Sequence, residues 1–86
     1  MEWLDKKRVE MDAIDAVLVE ALEKRIALSR EIAEYKRSHK MPIYDPSREQ
    51  HIFDKCVGLL QDPQYAKEII KIYEQVLHQS RDGIVD

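Results

Sequence analysis

The chain has 86 residues, of which 44% are hydrophobic and 36% charged, and its formal net charge at pH 7 is -3. This length predicts one domain over residues 1–86 with a small core. The acidic balance argues against a nucleic-acid partner, which requires a basic face. The single cysteine, Cys56, excludes an internal disulfide and fits a reducing compartment. No run approaches the ~20 apolar residues of a membrane span, and the first residues lack a signal-peptide pattern, so we expect a cytoplasmic protein with no membrane partner.

Residues 3–37 carry the strongest pattern in the chain. Apolar residues recur there at steps of three and four, which is the spacing of one stripe of an amphipathic helix, and neither Pro nor Gly interrupts them. A helix of this length measures ~50 Å, whereas a compact domain of this size has a radius of gyration of ~12 Å. The rest of the chain is too short to cover it. We therefore expect a second copy to pack against it about a twofold axis, with a coiled-coil segment or a frayed helix as the alternative.

The remaining residues predict two shorter helices and no strand. Asp45 is a helix cap and Pro46 suits the first helical position, so helix two begins there and ends near Leu60. Helix three runs from about Pro63 to a terminator at Gly83. The apolar residues expected on the inner sides of these two helices are Ile52, Phe53, Cys56, Val57, Leu59, Leu60, Tyr65, Ile69, Ile72, Tyr73, Val76 and Leu77. The sequence thus predicts an all-α fold of three helices with a long first helix.

Three cations stand in or beside the apolar stripe of helix one: Arg8, Arg25 and Lys36. Arg25 and Lys36 are three turns apart, ~16 Å along the axis, and both side chains are long enough to reach one small ligand between them. Arg8 lies ~25 Å from Arg25 and cannot share that pocket within its own chain. An antiparallel partner helix would bring the partner's Arg8 to it.

Helices two and three add polar groups to the same apolar interior: Arg48 and Glu49 on helix two, and Ser80 on helix three. Burying an unpaired cation costs several kcal/mol. A ligand with two carboxylates would remove that cost, because the Arg fork binds both oxygens of a carboxylate. The plain alternative for each Arg is a side chain that extends its charged head into water, or a simple ion pair. The histidines show no metal spacing with one another or with Cys56, so no metal is expected.

Several segments resemble a known family over essentially the whole chain. They are Arg8, Ile14-Asp15, Leu22–Arg25, Ile32–Lys36, Pro42–Glu49 and His78–Arg81. Their order and spacing are similar to those of the all-helical (AroQ-type) chorismate mutases. The resemblance implies an intertwined homodimer with two shared active sites. It implies conversion of chorismate to prephenate by an intramolecular Claisen rearrangement in aromatic amino-acid biosynthesis, with no cofactor.

The resemblance also implies roles for individual residues. Arg25 and the partner's Arg8 would bind the substrate carboxylates, and Lys36 would donate to the ether oxygen that is being broken. Glu49 would accept a hydrogen bond from the ring hydroxyl, which makes Lys36, Glu49 and Arg25 the catalytic set. The implied substrate-binding set is Arg8, Arg25, Lys36, Asp45, Arg48, Glu49, Ser80 and Ile84.

Ile84 departs from the family pattern, which has Gln or Glu four residues after the serine, facing the ether oxygen. Isoleucine donates no hydrogen bond, and losing one preorganised donor costs ~10²–10³ in turnover. The departure therefore implies a slower enzyme, a substitute group, a different helix end, or a partner domain or protein that completes the site. A partner enzyme of the aromatic pathway is a further expectation. Two other functions stay open: an isochorismate pyruvate lyase-like enzyme, and a non-catalytic helical dimer that binds a metabolite or regulates a partner. Whether the domain is stand-alone or part of a fusion also stays open.

Overall fold

The computed structural model describes the backbone of residues 2–82 and the side chains of residues 2–81. Within that range the chain forms three α-helices and no strand, as predicted. They are α1 (Glu2–Ser38), α2 (Pro46–Gly58) and α3 (Ala66–Asp82), and a short 3-10 turn, Pro63–Tyr65, precedes α3. The expected terminator, Gly83, lies outside the described residues.

Helix α1 determines the shape of the chain. Its 37 residues measure about 55 Å at the usual rise, which accounts for nearly the whole of the longest dimension, 56 Å. The radius of gyration is 16.2 Å, well above the ~12 Å of a compact chain of this length. Helices α2 and α3 pack on each other, and α3 packs against α1. The chain is therefore a rod with a small helical hairpin against one part of it.

The core lies where α3 meets the C-terminal part of α1. Ala33 is 3% exposed and Leu77 is 4% exposed, and these are the only buried apolar residues among those described. Alanine at position 33 lets the two helices approach closely. The N-terminal part of the α1 stripe has no such cover: Met11 is 58% exposed, Ile14 is 62% exposed and Leu18 is 51% exposed. The chain alone does not cover its longest apolar surface.

Three residues expected on inner faces are more than half exposed, and here the prediction was wrong. Leu59 is exposed because α2 ends at Gly58, and Leu59 follows as its C-cap. Ile72 lies about 140° around α3 from Leu77 and so faces away from the buried side. Tyr65 ends the 3-10 turn before α3 begins. Ile70, which was not expected there, is about 20° from Leu77 and is half-buried.

The start of helix three is set by a local cap. Asp62 accepts hydrogen bonds from the Gln64 side-chain Nε2 at 2.6 Å and from the Gln64 backbone N–H at 3.0 Å. These bonds, the side-chain one first, lower the pKa of the Asp62 carboxyl. The cap turns the chain after α2, and α3 then packs against α2. None of the described helices is both long and apolar enough to cross a membrane.

Candidate active site

The loop between α1 and α2 brings two groups of predicted site residues together. At the end of α1, the Met41 N–H donates to the Lys36 carbonyl at 2.8 Å, and the Lys40 N–H donates to the Arg37 carbonyl at 3.2 Å. Lys40 adopts the left-handed conformation, with φ of 55°. This is the Schellman motif, which stops a helix and reverses the chain. The start of α2 therefore lies beside the end of α1.

Asp45 fixes the first turn of α2. Its Oδ1 accepts a hydrogen bond from the Arg48 backbone N–H at 3.1 Å, and Pro46 occupies the first turn. The sequence-based prediction of a cap at Asp45 is confirmed. Because the cap orients the first turn, Arg48 and Glu49 project towards the space beside Lys36.

A cavity of about 390 Å³ lies between α1, the loop and the two shorter helices. This volume is within the usual range of small-molecule sites, ~300–1,000 Å³. Six of the eight predicted site residues line it, together with apolar and polar neighbours from all three helices. The lining residues are Arg25, Ser29, Ile32, Ala33, Lys36, Ile43, Asp45, Arg48, Glu49, Ile52, Leu77, Ser80 and Arg81.

Arg25 is held in place at one end of this cavity. Its Nη1 donates to Ser80 Oγ at 2.9 Å, and Ser80 Oγ donates to the Val76 carbonyl, also at 2.9 Å. Ser29 Oγ lies 3.4 Å from Ser80 Oγ and donates to it. The guanidinium also lies over the Tyr73 ring, 5.8 Å from its centroid. A ligand carboxylate would therefore meet an arginine that is already oriented.

Tyr73 supports Arg25 from outside the cavity. Burial is the main reason that the pKa of the phenol is raised, and the neighbouring Cys56 thiol raises it further, whereas the Arg25 charge opposes the shift. The phenol therefore stays neutral at neutral pH. Cys56 itself is half-buried.

Lys36 and Arg48 line the same cavity near the loop. The half-buried Lys36 Nζ donates to the Ile43 carbonyl at 3.4 Å, so the loop backbone orients the ammonium. Arg48 is more exposed and lies near the mouth. These two cations and Arg25 share one space, as the sequence pattern predicted.

Arg81 is a site residue that sequence reasoning did not select. Its Nε lies 2.9 Å from Glu49 Oε2, and its guanidinium lies 4.6 Å from the centroid of the Tyr44 ring. The Nε atom is fully enclosed, and the Glu49 oxygen lies off the N–H direction, so the contact is ionic rather than a well-directed hydrogen bond. Arg81 stands four residues after Leu77 on the apolar face, and the same rule that singled out Arg25 would have found it.

The lining carries more positive than negative charge. Four cations, Arg25, Lys36, Arg48 and Arg81, surround two carboxylates, Asp45 and Glu49. The excess of two positive charges matches a ligand with two negative charges. Among the described residues, no group of His, Cys, Asp and Glu side chains is placed to hold a metal ion.

Two predicted site residues are not on this cavity. Arg8 is exposed on α1 and lies about 25 Å along the axis from Arg25, so the chain's own cavity does not include it. Ile84 lies outside the described residues.

Fold and cavity together define an all-helical protein with a cationic pocket of the size of small-molecule sites. The chain belongs to the chorismate mutase type II family, whose model matches residues 7–83. The family predicted from the sequence is thereby confirmed. No solved structure matches the chain significantly.

Curated relatives include enzymes with one and with two activities. The chain is 29% identical over 82 residues to the chorismate mutase of Methanocaldococcus jannaschii, covering 94% of this chain and 83% of that protein. It is 34% identical over 83 residues to the bifunctional chorismate mutase/prephenate dehydratase of Aquifex aeolicus, covering 90% of this chain and 22% of that protein. It is 28% identical over 75 residues to the 4-amino-4-deoxychorismate mutase of Streptomyces venezuelae, covering 86% of this chain and 73% of that protein.

Proposed function

We propose that this chain is a chorismate mutase, an isomerase that converts chorismate to prephenate by an intramolecular rearrangement. The observation that carries the proposal is the single cavity in which Arg25, Lys36 and Arg48 converge, in a chain of the chorismate mutase type II family. The substrate is a flexible dianion that reacts only when it is folded into a compact conformer. Catalysis therefore requires a pocket that holds two carboxylates and stabilises the charge developing on the ether oxygen.

Within this proposal, the oriented groups have distinct tasks. Arg25, held by Ser80, binds one carboxylate through its fork. The Lys36 ammonium donates to the ether oxygen, where negative charge develops as the C–O bond breaks. Arg48 adds positive potential at the mouth. No group on the protein forms a covalent bond, and the reaction needs no cofactor.

Glu49 is the acceptor proposed for the ring hydroxyl of the substrate. That hydroxyl is the substrate's only hydrogen-bond donor when both carboxylates are ionised, so it requires an acceptor in the pocket. The cavity offers two carboxylates, and Asp45 already accepts a hydrogen bond as the cap of α2. Asp45 is also exposed, whereas the Glu49 side chain is only 18% exposed and pairs with Arg81 through Oε2, which leaves Oε1 to accept.

The functional form proposed is an intertwined homodimer with two shared sites. The exposed stripe around Met11, Ile14 and Leu18 requires cover, and a second α1 running antiparallel supplies it by symmetry. The same arrangement carries the partner's Arg8 towards the cavity and adds a further cation for the second carboxylate. The dimer interface and the complete site would then form together.

The wider setting proposed is aromatic amino-acid biosynthesis in the cytoplasm. Since the Aquifex relative joins the mutase to a prephenate dehydratase, a prephenate-consuming enzyme is the partner that we propose for this chain. Ile84 stands where the family pattern has a donor, so we expect turnover below that of enzymes that keep Gln or Glu there.

The test is to incubate the purified protein with chorismate and to identify the product. We expect prephenate, and we expect Arg25→Ala to lower kcat/KM at least about hundredfold, because it removes an oriented cation. The matched control is Lys24→Ala, which removes the neighbouring cation: the Lys24 side chain is 73% exposed and pairs with Glu20. Circular dichroism checks that each variant keeps its helices.

Two outcomes would contradict the proposal. Release of pyruvate from isochorismate, without prephenate from chorismate, would identify a lyase on the same scaffold. Chorismate left unchanged at high protein concentration would indicate a non-catalytic dimer that binds a metabolite.

A further inference from the structure

We propose that Arg81 is a specificity-determining residue, which makes the pocket around Glu49 accept a neutral hydroxyl and reject an ammonium group on the substrate ring. The inference rests on the proposed function, because it concerns which ring substituent the same site takes. Arg81 acts in two ways: it pairs with the Glu49 carboxylate, and it places its own positive charge beside it.

The geometry fixes this pair in the wall of the cavity. The Arg81 and Glu49 side chains are 33% and 18% exposed, and 2.9 Å separates Arg81 Nε from Glu49 Oε2. The Tyr44 ring, 4.6 Å from the guanidinium, holds the other face of Arg81. Arg81 is thus fixed by a carboxylate and an aromatic ring from two different parts of the chain, and it cannot move away without losing both.

The pair changes what Glu49 offers to a ligand. Through Oε2, Glu49 already neutralises a cation, and Oε1 is the oxygen that accepts a hydrogen bond from the substrate. A neutral hydroxyl needs a hydrogen-bond acceptor but no neighbouring net charge, so the neutralised pair of Arg81 and Glu49 suits it. An ammonium group gains most from an unpaired carboxylate, and here it would lie close to the Arg81 guanidinium. Like charges that are brought together in a partly buried site oppose binding.

Two known substrates, chorismate and its 4-amino counterpart, differ in whether the ring carries a hydroxyl or an amine. The name of the Streptomyces venezuelae relative specifies 4-amino-4-deoxychorismate, in which an amine replaces the ring hydroxyl. An aliphatic amine is predominantly protonated at neutral pH. Discrimination between the two substrates therefore depends on the charge beside Glu49, and a specificity of this kind is set by repulsion of the wrong ligand as well as by attraction of the right one.

The experiment measures kcat/KM for both substrates and compares their ratio, chorismate over 4-amino-4-deoxychorismate, between variants. We expect Arg81→Gln to lower the ratio about tenfold, because the unpaired Glu49 then favours the ammonium. Arg81→Lys keeps the charge and should retain most of the wild-type ratio. Lys71→Gln, which removes an exposed cation from the same helix, should leave the ratio unchanged.

Glu49→Gln is a second variant with the opposite expectation. It leaves an unpaired Arg81 beside an amide that still accepts from a hydroxyl, so the ratio should rise even though both rates fall. A merely structural role of the pair would not move the ratio in opposite directions. Circular dichroism of all variants checks their folding.

The outcomes separate the inference from the function on which it rests. If the wild-type protein rearranges chorismate but the ratio is unchanged in both Arg81→Gln and Glu49→Gln, the inference is wrong and the mutase assignment stands. If the wild-type protein rearranges neither substrate, the mutase assignment fails and the inference fails with it. A wild-type preference for the amino substrate would overturn the inference alone.

Discussion

Tyr73 shows how a residue outside the cavity supports one within it. Its ring lies under the Arg25 guanidinium, and its phenol is partly buried beside Cys56. A neutral phenol is compatible with this position because burial penalises only the charged form. The raised pKa therefore predicts a dependence of stability on pH that is specific to this residue.

We expect Tyr73 to destabilise the folded state at alkaline pH. Since burial and Cys56 raise the folded pKa above the ordinary value of 10.0, the unfolded chain loses the proton first. The contribution of the neutral Tyr73 phenol to the free energy of unfolding is complete below pH 10, and it is lost as the pH rises through the folded pKa. Urea unfolding at pH 8 and pH 11 measures the free energy of unfolding of the wild type and of Tyr73→Phe. We expect the loss of this free energy between pH 8 and pH 11 to be smaller in the variant.

The matched control for this experiment is Tyr65→Phe. Tyr65 is 52% exposed, so removing its hydroxyl should leave the alkaline loss of stability as it is in the wild type. An equal alkaline loss in Tyr73→Phe and in the wild type would contradict the expected role of burial. Contributions from all other groups are the same in the wild type and the variants, so they cancel in the comparison.

At the scale of elements, α1 carries a long apolar surface that the rest of the chain does not cover. Leu18 belongs to the stripe that contains Met11 and Ile14, whereas Val9 lies on the opposite side of the helix, about 180° away from Leu18. Both are exposed in the single chain, Leu18 by 51% and Val9 by 67%. Their different positions on α1 therefore place Leu18 within the proposed dimer interface and Val9 outside it.

We expect Leu18→Asp to dissociate the proposed dimer, because it places a charge in a surface that two copies would bury. Val9→Asp should leave the dimer intact. Sedimentation equilibrium at micromolar concentration measures the mass of each variant, and circular dichroism measures the helix content. A Leu18→Asp variant that keeps the dimer mass would place the interface elsewhere on α1.

At the scale of the whole molecule, the proposed shared site predicts complementation between two variants that are each expected to be inactive. A mixed dimer of Arg8→Ala and Arg25→Ala chains has one site with both defects and one site with neither. Random exchange makes half of the dimers mixed, so roughly a quarter of the wild-type activity should return. The measurement is the chorismate assay before and after subunit exchange, with mass spectrometry to verify that mixed dimers have formed.

The control for complementation is each variant alone, carried through the same exchange procedure. Neither should recover activity. If verified mixed dimers remain inactive, the partner's Arg8 does not complete the cavity, and the second carboxylate must be bound by another group.

The sequence by itself determined the three helices and the capped start of α2. The apolar period of α1 and the Asp45 cap are encoded within a few residues, so local physics suffices to read them. The cationic character of the site was equally readable, because a charge within an apolar stripe stands out at Arg25 and Lys36. The family followed from the spacing of the same residues.

Only the tertiary structure decided which side chains meet. The hydrogen bond from Arg25 to Ser80 joins residues 55 positions apart, and the pairing of Arg81 with Glu49 joins two separate helices. Both contacts depend on the angles at which α2 and α3 return to α1, which follow from packing the whole chain and not from the periodicity of any one segment.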